Sequence, residues 1–176
     1  MLRRYPKWLI WSVEILFFIG LYLSLRAWQH RGMIHGEAPV FAAQQIDGAH
    51  FNMSDDRGAP LLLYFWATWC PVCRLEQNSI TEIAKDWPVV TVAMQSGNAA
   101  EVSQYLVEHS LHFPVIIDEE GVLARRYGVV GVPASFVIDG QGDIRFSEVG
   151  YTTEMGLRVR LWWAGQVRVG KDRQLE

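Results

Sequence analysis

Cys70 and Cys73 are the residues whose type and spacing most directly indicate chemistry. They are the 2 cysteines of the chain, and Pro71 and Val72 separate them. A disulfide across so short a loop removes little entropy from the unfolded chain, so it would add little stability. A thiolate is a nucleophile, and two neighbouring thiols can exchange with a disulfide of another protein. The pair therefore predicts thiol–disulfide chemistry rather than a structural cross-link.

A zinc site or a pair of inert buried thiols could also account for these two cysteines. Structural zinc takes four ligands, but the sequence has no second cysteine pair, and His109 and His112 are its closest histidines. These two histidines are expected at a helix end or in a loop. We therefore expect no metal and no cofactor, and we see no copper site in the sequence.

The residues around the cysteines predict a strand that is followed by a helix. Residues 61–65 form a continuous apolar run, which is typical of a buried central strand. A helical pattern begins at Pro71, which suits a first helical turn because no intrahelical bond needs its missing N–H. The unpaired N–H groups and the dipole at this helix start would stabilise a thiolate at Cys70. Cys70 is therefore predicted to be the exposed nucleophile, and Cys73, one turn deeper, the resolving thiol.

The rest of the body alternates between strand and helix patterns. Strands are predicted at 41–46, 50–53, 61–65, 89–94, 115–117, 134–138 and 144–149. Helices are predicted from Pro71 to the residue before Pro88, over 98–109 with Asn98 as N-cap, over 122–127, and from Thr152 or Thr153 to about Ala164. This order predicts an α/β fold in which helices flank a central mixed sheet, with an N-terminal β-hairpin extension. It also places Cys70 at the carboxyl edge of that sheet.

The N-terminal part of the sequence predicts a membrane anchor. Residues 8–25 are almost wholly apolar and just long enough to cross a bilayer as one transmembrane helix. Glu14 is the discordant residue; it could reach the headgroups, be protonated or have a role within the membrane. Arg3, Arg4 and Lys7 precede the segment, which favours a cytoplasmic N-terminus and an exported body.

A cleavable signal peptide is the alternative for this segment. The residues after the apolar stretch lack the small side chains that a cleavage site needs, so an uncleaved anchor is favoured. The predicted organisation is an N-terminal stub, anchor and tether over 1–36, a catalytic domain over 37–165 and a polar tail over 166–176. The tether itself is predicted from His30 to Glu37.

The charge of the predicted body excludes nucleic-acid binding. After residue 36 the chain carries 11 basic and 18 acidic side chains, so the net charge of this part is −7. A surface of this sign would repel a phosphate backbone.

Two sequence segments resemble the hallmarks of the thioredoxin superfamily. FWATWCPVC at 65–73 is similar to its active-site segment, and GVVGVPASFVID at 128–139 is similar to its loop with a cis-proline that faces the cysteines. The N-terminal hairpin and an insertion at 118–121 resemble the membrane-tethered TlpA, ResA and CcmG branch. Within that branch, the anchor and the size are most similar to the suppressor-of-copper-sensitivity D (ScsD) proteins. The resemblance covers about residues 37–165.

This resemblance implies roles for further residues. Pro133 would be cis and would present the backbone of Val132 to a bound partner peptide. Trp69 would shield the sulfurs and contact partners, and Pro71 would contact partners as well. Trp66 would either flank the site or simply pack in the core. Glu76 matches a glutamate implicated in this branch and could accept the proton of Cys73.

The sequence leaves one alternative open for Glu76. It could instead be a solvated glutamate on the helix face beside Arg74. In thioredoxins proper a buried aspartate in the preceding strand helps to move the proton of the resolving cysteine. The resemblance places Tyr64 at the corresponding position here, and a tyrosine cannot act as such a base.

The resemblance implies an enzyme, a thiol–disulfide oxidoreductase that reduces disulfides in exported proteins. Its electrons would come from a transmembrane donor of the DsbD or ScsB type. The alternatives are a disulfide oxidase or isomerase, because Pro71 and Val72 replace the Gly-Pro of strongly reducing thioredoxins, and a non-catalytic binding module or chaperone. Apocytochrome c is an alternative substrate, as for the CcmG relatives.

Overall fold

The computed structural model describes the backbone at 7–30, 32–55 and 58–172, and side chains over the same ranges except at 7–10, 22–23, 25–30 and 167–172. The chain divides into two compact units, one up to Gly32 and one from Met33. The first unit contains helix α1, Lys7–His30. Among the described residues, no helix combines the length and the apolar character that crossing a membrane requires. The predicted anchor at 8–25 lies partly outside the described side chains and stays a prediction.

Within the described residues, the second unit is built on a mixed sheet of six strands: Gly36–Glu37 (β1), Leu61–Trp66 (β4), Val89–Met94 (β5), Val115–Asp118 (β6), Ala134–Ile138 (β7) and Asp143–Val149 (β8). These strands lie in the order β1-β8-β7-β4-β5-β6. Strands β4, β5 and β6 are parallel, whereas β7 is antiparallel to β4 and β8, and β1 is antiparallel to β8. The predicted central mixed sheet is therefore confirmed.

The predicted N-terminal hairpin is confirmed as a separate antiparallel pair. Its strands are Ala42–Gln44 (β2) and His50–Asn52 (β3). Between them, Asp47 accepts a hydrogen bond from the Ala49 N–H at 3.0 Å, which is an Asx-type turn.

The described residues of this unit also form the helices Pro71–Ile83 (α2), Ala99–Glu108 (α3), Val122–Arg126 (α4) and Glu154–Asp172 (α5). The predicted N-cap of α3 is confirmed, because the Asn98 side chain accepts from two backbone N–H groups and Glu101 bonds back to the Asn98 N–H. Strand β4 is buried over its whole length, as its apolar run predicts.

Alternate residues of β4 point to two separate apolar clusters. Leu63 and Phe65 pack on one face of the sheet, with Tyr127 and Phe136. Leu62, Tyr64 and Trp66 pack on the other, together with the two cysteines and the inner sides of α2 and α5. The period of 2 in a strand causes this division, and it puts Tyr64 on the same side of the sheet as Cys70.

The predicted tether from His30 to Glu37 is wrong at its C-terminal end. Met33 is buried in the core, and Gly36 and Glu37 pair with Ile144 and Asp143 of β8. This short edge strand is held by backbone hydrogen bonds, so no apolar alternation in the sequence marks it.

The predicted end of the last helix at Ala164 is also wrong. Helix α5 continues to Asp172, into the segment predicted as a polar tail. Residues 165–172 contain no proline, and glycine costs a helix only about 1 kcal/mol, so Gly165 does not end it. Residues 173–176 of the predicted tail lie outside the described residues.

Candidate active site

Cys70 and Cys73 form a disulfide at the start of α2, and their Cα atoms are 5.3 Å apart. Cys70 is the N-cap residue of this helix, and its Sγ accepts from the Cys73 N–H at 3.1 Å. A sulfur in this position faces the unpaired N–H groups of the first turn, so a Cys70 thiolate would be stabilised there. Cys70 is only 3% exposed and Cys73 is fully buried, so the predicted exposure of Cys70 is wrong for the disulfide form.

The turn between β4 and α2 is held by the loop that follows β5. The Thr68 N–H donates to Ser96 Oγ at 3.1 Å, and the indole N–H of Trp69 donates to the Gln95 carbonyl at 2.9 Å. Trp69 is nevertheless 57% exposed, so its ring is fixed at one edge and open to a partner at the other. The roles of Gln95 and Ser96 were missed from the sequence, because nothing in their spacing connects them with the cysteines.

The predicted cis peptide bond between Val132 and Pro133 is confirmed. The Val132 carbonyl oxygen lies 3.5 Å from Cys70 Sγ, so this loop covers the reactive sulfur. The Pro133 carbonyl accepts from the Gly150 N–H at 2.8 Å, which fixes the loop to the end of β8. Val130, in the same loop, is exposed, and Pro71 is exposed on the helix side of the disulfide.

Glu76 is buried one helical turn beyond Cys73, with only 1% of its surface exposed. One carboxylate oxygen accepts from the Tyr64 hydroxyl at 3.3 Å, and the other accepts from the Thr152 N–H at 3.1 Å. Burial raises the pKa of Glu76 to about 7, although both hydrogen bonds oppose this rise. The alternative of a solvated glutamate beside Arg74 therefore does not hold.

Trp66 and Tyr64, two aromatic residues of β4, differ in what they contact. Trp66 is fully buried, donates to Thr91 Oγ1 at 3.1 Å and packs against Tyr105 and Phe113, so it is a packing residue. Tyr64 is also fully buried, and burial together with the neighbouring Glu76 raises its pKa above the ordinary tyrosine value. Tyr64 therefore stays a neutral hydrogen-bond donor.

The predicted site residues thus lie around one disulfide. Trp69, Pro71, Val132 and Pro133 surround the disulfide, and Glu76 lies behind it. Within the described parts of the chain, no three His, Cys, Asp or Glu side chains come together as a metal site would require. The arrangement can carry out thiol–disulfide exchange, and a buried titratable group lies on the same helix one turn beyond the inner cysteine.

Comparison with known proteins gives consistent matches. The AhpC/TSA family matches residues 34–147. The thiol:disulfide interchange protein DsbE of Pseudomonas fluorescens is 33% identical over 158 residues, which cover 89% of this chain and 88% of that protein. The thiol-disulfide oxidoreductase ResA of Bacillus cereus is 30% identical over 128 residues, which cover 70% and 74%.

The fold is similar to that of solved structures. The crystal structure of a thiol:disulfide interchange protein from Chlorobium tepidum, described as a thioredoxin family protein, superimposes with a TM-score of 0.66 at 27% identity. The match covers 74% of this chain and 97% of that one.

Proposed function

Since the chain belongs to the AhpC/TSA family of thioredoxin-like proteins, we propose that it reduces disulfides in exported partner proteins. It is a thiol–disulfide oxidoreductase with a CXXC pair. The observation that carries this conclusion is the Cys70–Cys73 disulfide at the N-terminus of α2, under the Val132–Pro133 loop. The similarity to DsbE and ResA proteins supports it.

The reaction follows from the arrangement of the two sulfurs. In the reduced protein the Cys70 thiolate attacks one sulfur of a partner disulfide, and the other partner sulfur leaves as a thiolate. The Cys73 thiol loses its proton and attacks Cys70 Sγ, which breaks the mixed disulfide and releases the second partner thiolate. The partner gains two electrons, and the Cys70–Cys73 disulfide forms. A dithiol donor must then return two electrons to the protein.

Glu76 is proposed to accept the proton of Cys73. It lies on the same face of α2 one turn further on, it is buried, and its pKa is about 7, so it can gain and lose a proton near neutral pH. Trp69, Pro71, Val132 and Pro133 are proposed to contact the partner, because they surround the disulfide.

The cellular setting belongs to the same proposal. Residues 8–25 would anchor the protein in the inner membrane with its N-terminus in the cytoplasm, and the catalytic domain would lie in the periplasm. The apolar segment and the basic residues before it support this topology. The donor would be a membrane protein of the DsbD or ScsB type. The likeness to ScsD proteins suggests a role in copper stress, with cytochrome c biogenesis as the alternative.

A trapping experiment tests the proposed reaction. In Cys73→Ser, Cys70 can still attack a partner but nothing resolves the mixed disulfide, so partners should accumulate in covalent, reductant-sensitive complexes. Cys70→Ser is the matched control and should trap none. Equal trapping by both variants, or by neither, would contradict the assignment of Cys70 as nucleophile and Cys73 as resolving thiol.

The reduction potential of the full-length protein tests the direction of electron flow. A value near or below about −220 mV supports a reductant, and a value near about −120 mV supports a disulfide oxidase instead. The absence of a reversible couple would support the binding module. A reporter enzyme active only outside the cytoplasm, fused after Glu176, tests the topology. It should be active, and deletion of residues 1–32, which leaves the unit from Met33 intact, should abolish this activity.

A further inference from the structure

Tyr64 and the segment before α5 hold the carboxylate of Glu76 from two sides. The Tyr64 hydroxyl donates to one oxygen at 3.3 Å, and the Thr152 N–H donates to the other at 3.1 Å. Tyr64 is 0% exposed and Glu76 is 1% exposed, so water cannot replace either contact freely. A buried carboxylate needs such donors, because an ionised group without partners is costly in an apolar environment.

We propose that Tyr64 is a positioning residue, whose hydroxyl orients the Glu76 carboxylate and favours its ionised form, so that it can take the proton of Cys73. The inference rests on the proposed function, because it assigns how the proton acceptor of that reaction is set. Tyr64 does not move the proton itself. It donates to the carboxylate, and this contact is stronger when the carboxylate is charged than when it is protonated.

The step that depends on this contact is the resolution of the mixed disulfide. The S–H proton of Cys73 moves to a Glu76 oxygen, and the electron pair left on Cys73 Sγ forms the bond to Cys70 Sγ. The bond between Cys70 and the partner sulfur breaks, and the partner leaves as a thiolate. Only ionised Glu76 can accept the proton, so the rate of resolution should rise with pH through the pKa of Glu76.

Within the part of the chain that the structure describes, few titratable groups lie close to Glu76. Tyr64 approaches from β4, and Cys73 lies one turn earlier on α2 itself. From the α5 side the contact is the backbone N–H of Thr152. Arg158 of α5 is instead paired with Glu154 at 2.8 Å and with Asp86 at 2.6 Å. Tyr64 is therefore the side chain whose removal should change the ionisation of Glu76 most directly.

The test follows resolution directly in the reduced full-length protein by stopped flow. An aromatic disulfide that releases a coloured thiolate serves as the partner. Its first thiolate appears when Cys70 attacks, and the second appears when Cys73 resolves the mixed disulfide. The rate of the second phase is measured across pH for the wild type and for Tyr64→Phe. Tyr105→Phe is the matched control, because its hydroxyl donates to Gln77, the neighbour of Glu76 on α2, at 3.0 Å.

In Tyr64→Phe we expect the midpoint of this pH profile to move upward by about one pH unit, which lowers the rate at pH 7 by about fivefold. Tyr105→Phe should keep the wild-type midpoint. A structural effect would have the opposite sign, because looser packing would hydrate the carboxylate and lower the midpoint. An unchanged or lowered midpoint in Tyr64→Phe would overturn the inference.

Two further variants keep the result interpretable. Glu76→Gln should slow the second phase and remove this ionisation; if it does neither, the proposed role of Glu76 fails, and the inference about Tyr64 fails with it. If only Tyr64→Phe is without effect, the inference fails and the proposed function stands. Meta-fluorotyrosine at position 64 preserves the shape but is a stronger donor, so it should move the midpoint downward even if Tyr64→Phe does not fold.

Discussion

Replacing Glu76 by Gln should change how the stability of the oxidised protein depends on pH. The pKa of Glu76 is raised from the ordinary value of 4.5 to about 7 in the folded protein. Between these values the folded state binds more protons than the unfolded state, so the free energy of unfolding falls as pH rises from about 4.5 to about 7. The effect saturates above pH 7. The difference between 4.5 and 7 corresponds to about 3 kcal/mol.

A Gln side chain at position 76 does not titrate, so it removes this dependence of stability on pH, and it can keep both hydrogen bonds. Its oxygen can accept from the Thr152 N–H, and its amide can donate to the Tyr64 oxygen, since a hydroxyl both donates and accepts. As pH rises from 4.5 to 8, the wild type should lose about 3 kcal/mol in free energy of unfolding that Glu76→Gln does not lose. The difference in stability should therefore change by this amount in favour of the variant.

Urea unfolding of the oxidised full-length protein at a series of pH values measures this change. Glu82→Gln is the control, because Glu82 lies on the same helix but is exposed and paired with Lys85 at 2.7 Å. It should leave the wild-type pH dependence intact. Parallel curves of stability against pH for the wild type and Glu76→Gln would refute the reasoning, since they would mean that burial does not hold a proton on this carboxyl.

Two further predictions concern stability. Asp139→Ala should lower the free energy of unfolding by about 2–3 kcal/mol, because the buried carboxylate accepts from Arg145 Nε at 2.6 Å and from the backbone N–H groups of Gln141 and Asp143. A loss below about 1 kcal/mol would contradict this account. Asn98→Ala should cost about 1 kcal/mol, since it removes the N-cap of α3, whereas Asn98→Ser should restore most of that loss. Urea unfolding checks both, and equal stability of the two Asn98 variants would argue against capping.

The sequence alone was sufficient for the redox pair and the elements around it. A continuous apolar run specifies β4 because a strand buried on both faces needs apolar residues at every position. Pro71 and the spacing of the cysteines place Cys70 at a helix N-terminus, where local backbone geometry stabilises a thiolate. Asn98 likewise specifies the start of α3 through contacts within its own first turn. These features depend on residues close together in the chain.

The backbone pairing of β1 and the length of α5 were harder to predict from the sequence. Strand β1 is held on β8 by main-chain hydrogen bonds, which leave no side-chain pattern. Helix α5 passes through Gly165, which is a weak stop signal that the rest of the helix outweighs. The first error concerns a segment held by backbone pairing, and the second concerns a segment where the sequence preference against a helix is small.

The environment of Glu76 was decided by the tertiary structure alone. Its position in the sequence allowed either a solvated helix face or a buried acid. The fold brings Tyr64 from β4 and the Thr152 N–H from the segment before α5 onto its two oxygens, across 12 and 76 positions of the chain. A carboxylate's pKa depends on burial and on the donors around it, and neither is a property of the neighbouring residues in the sequence. The sequence therefore determined which sulfur atoms exchange electrons, and the packing of distant elements determined the environment in which Glu76 holds its proton.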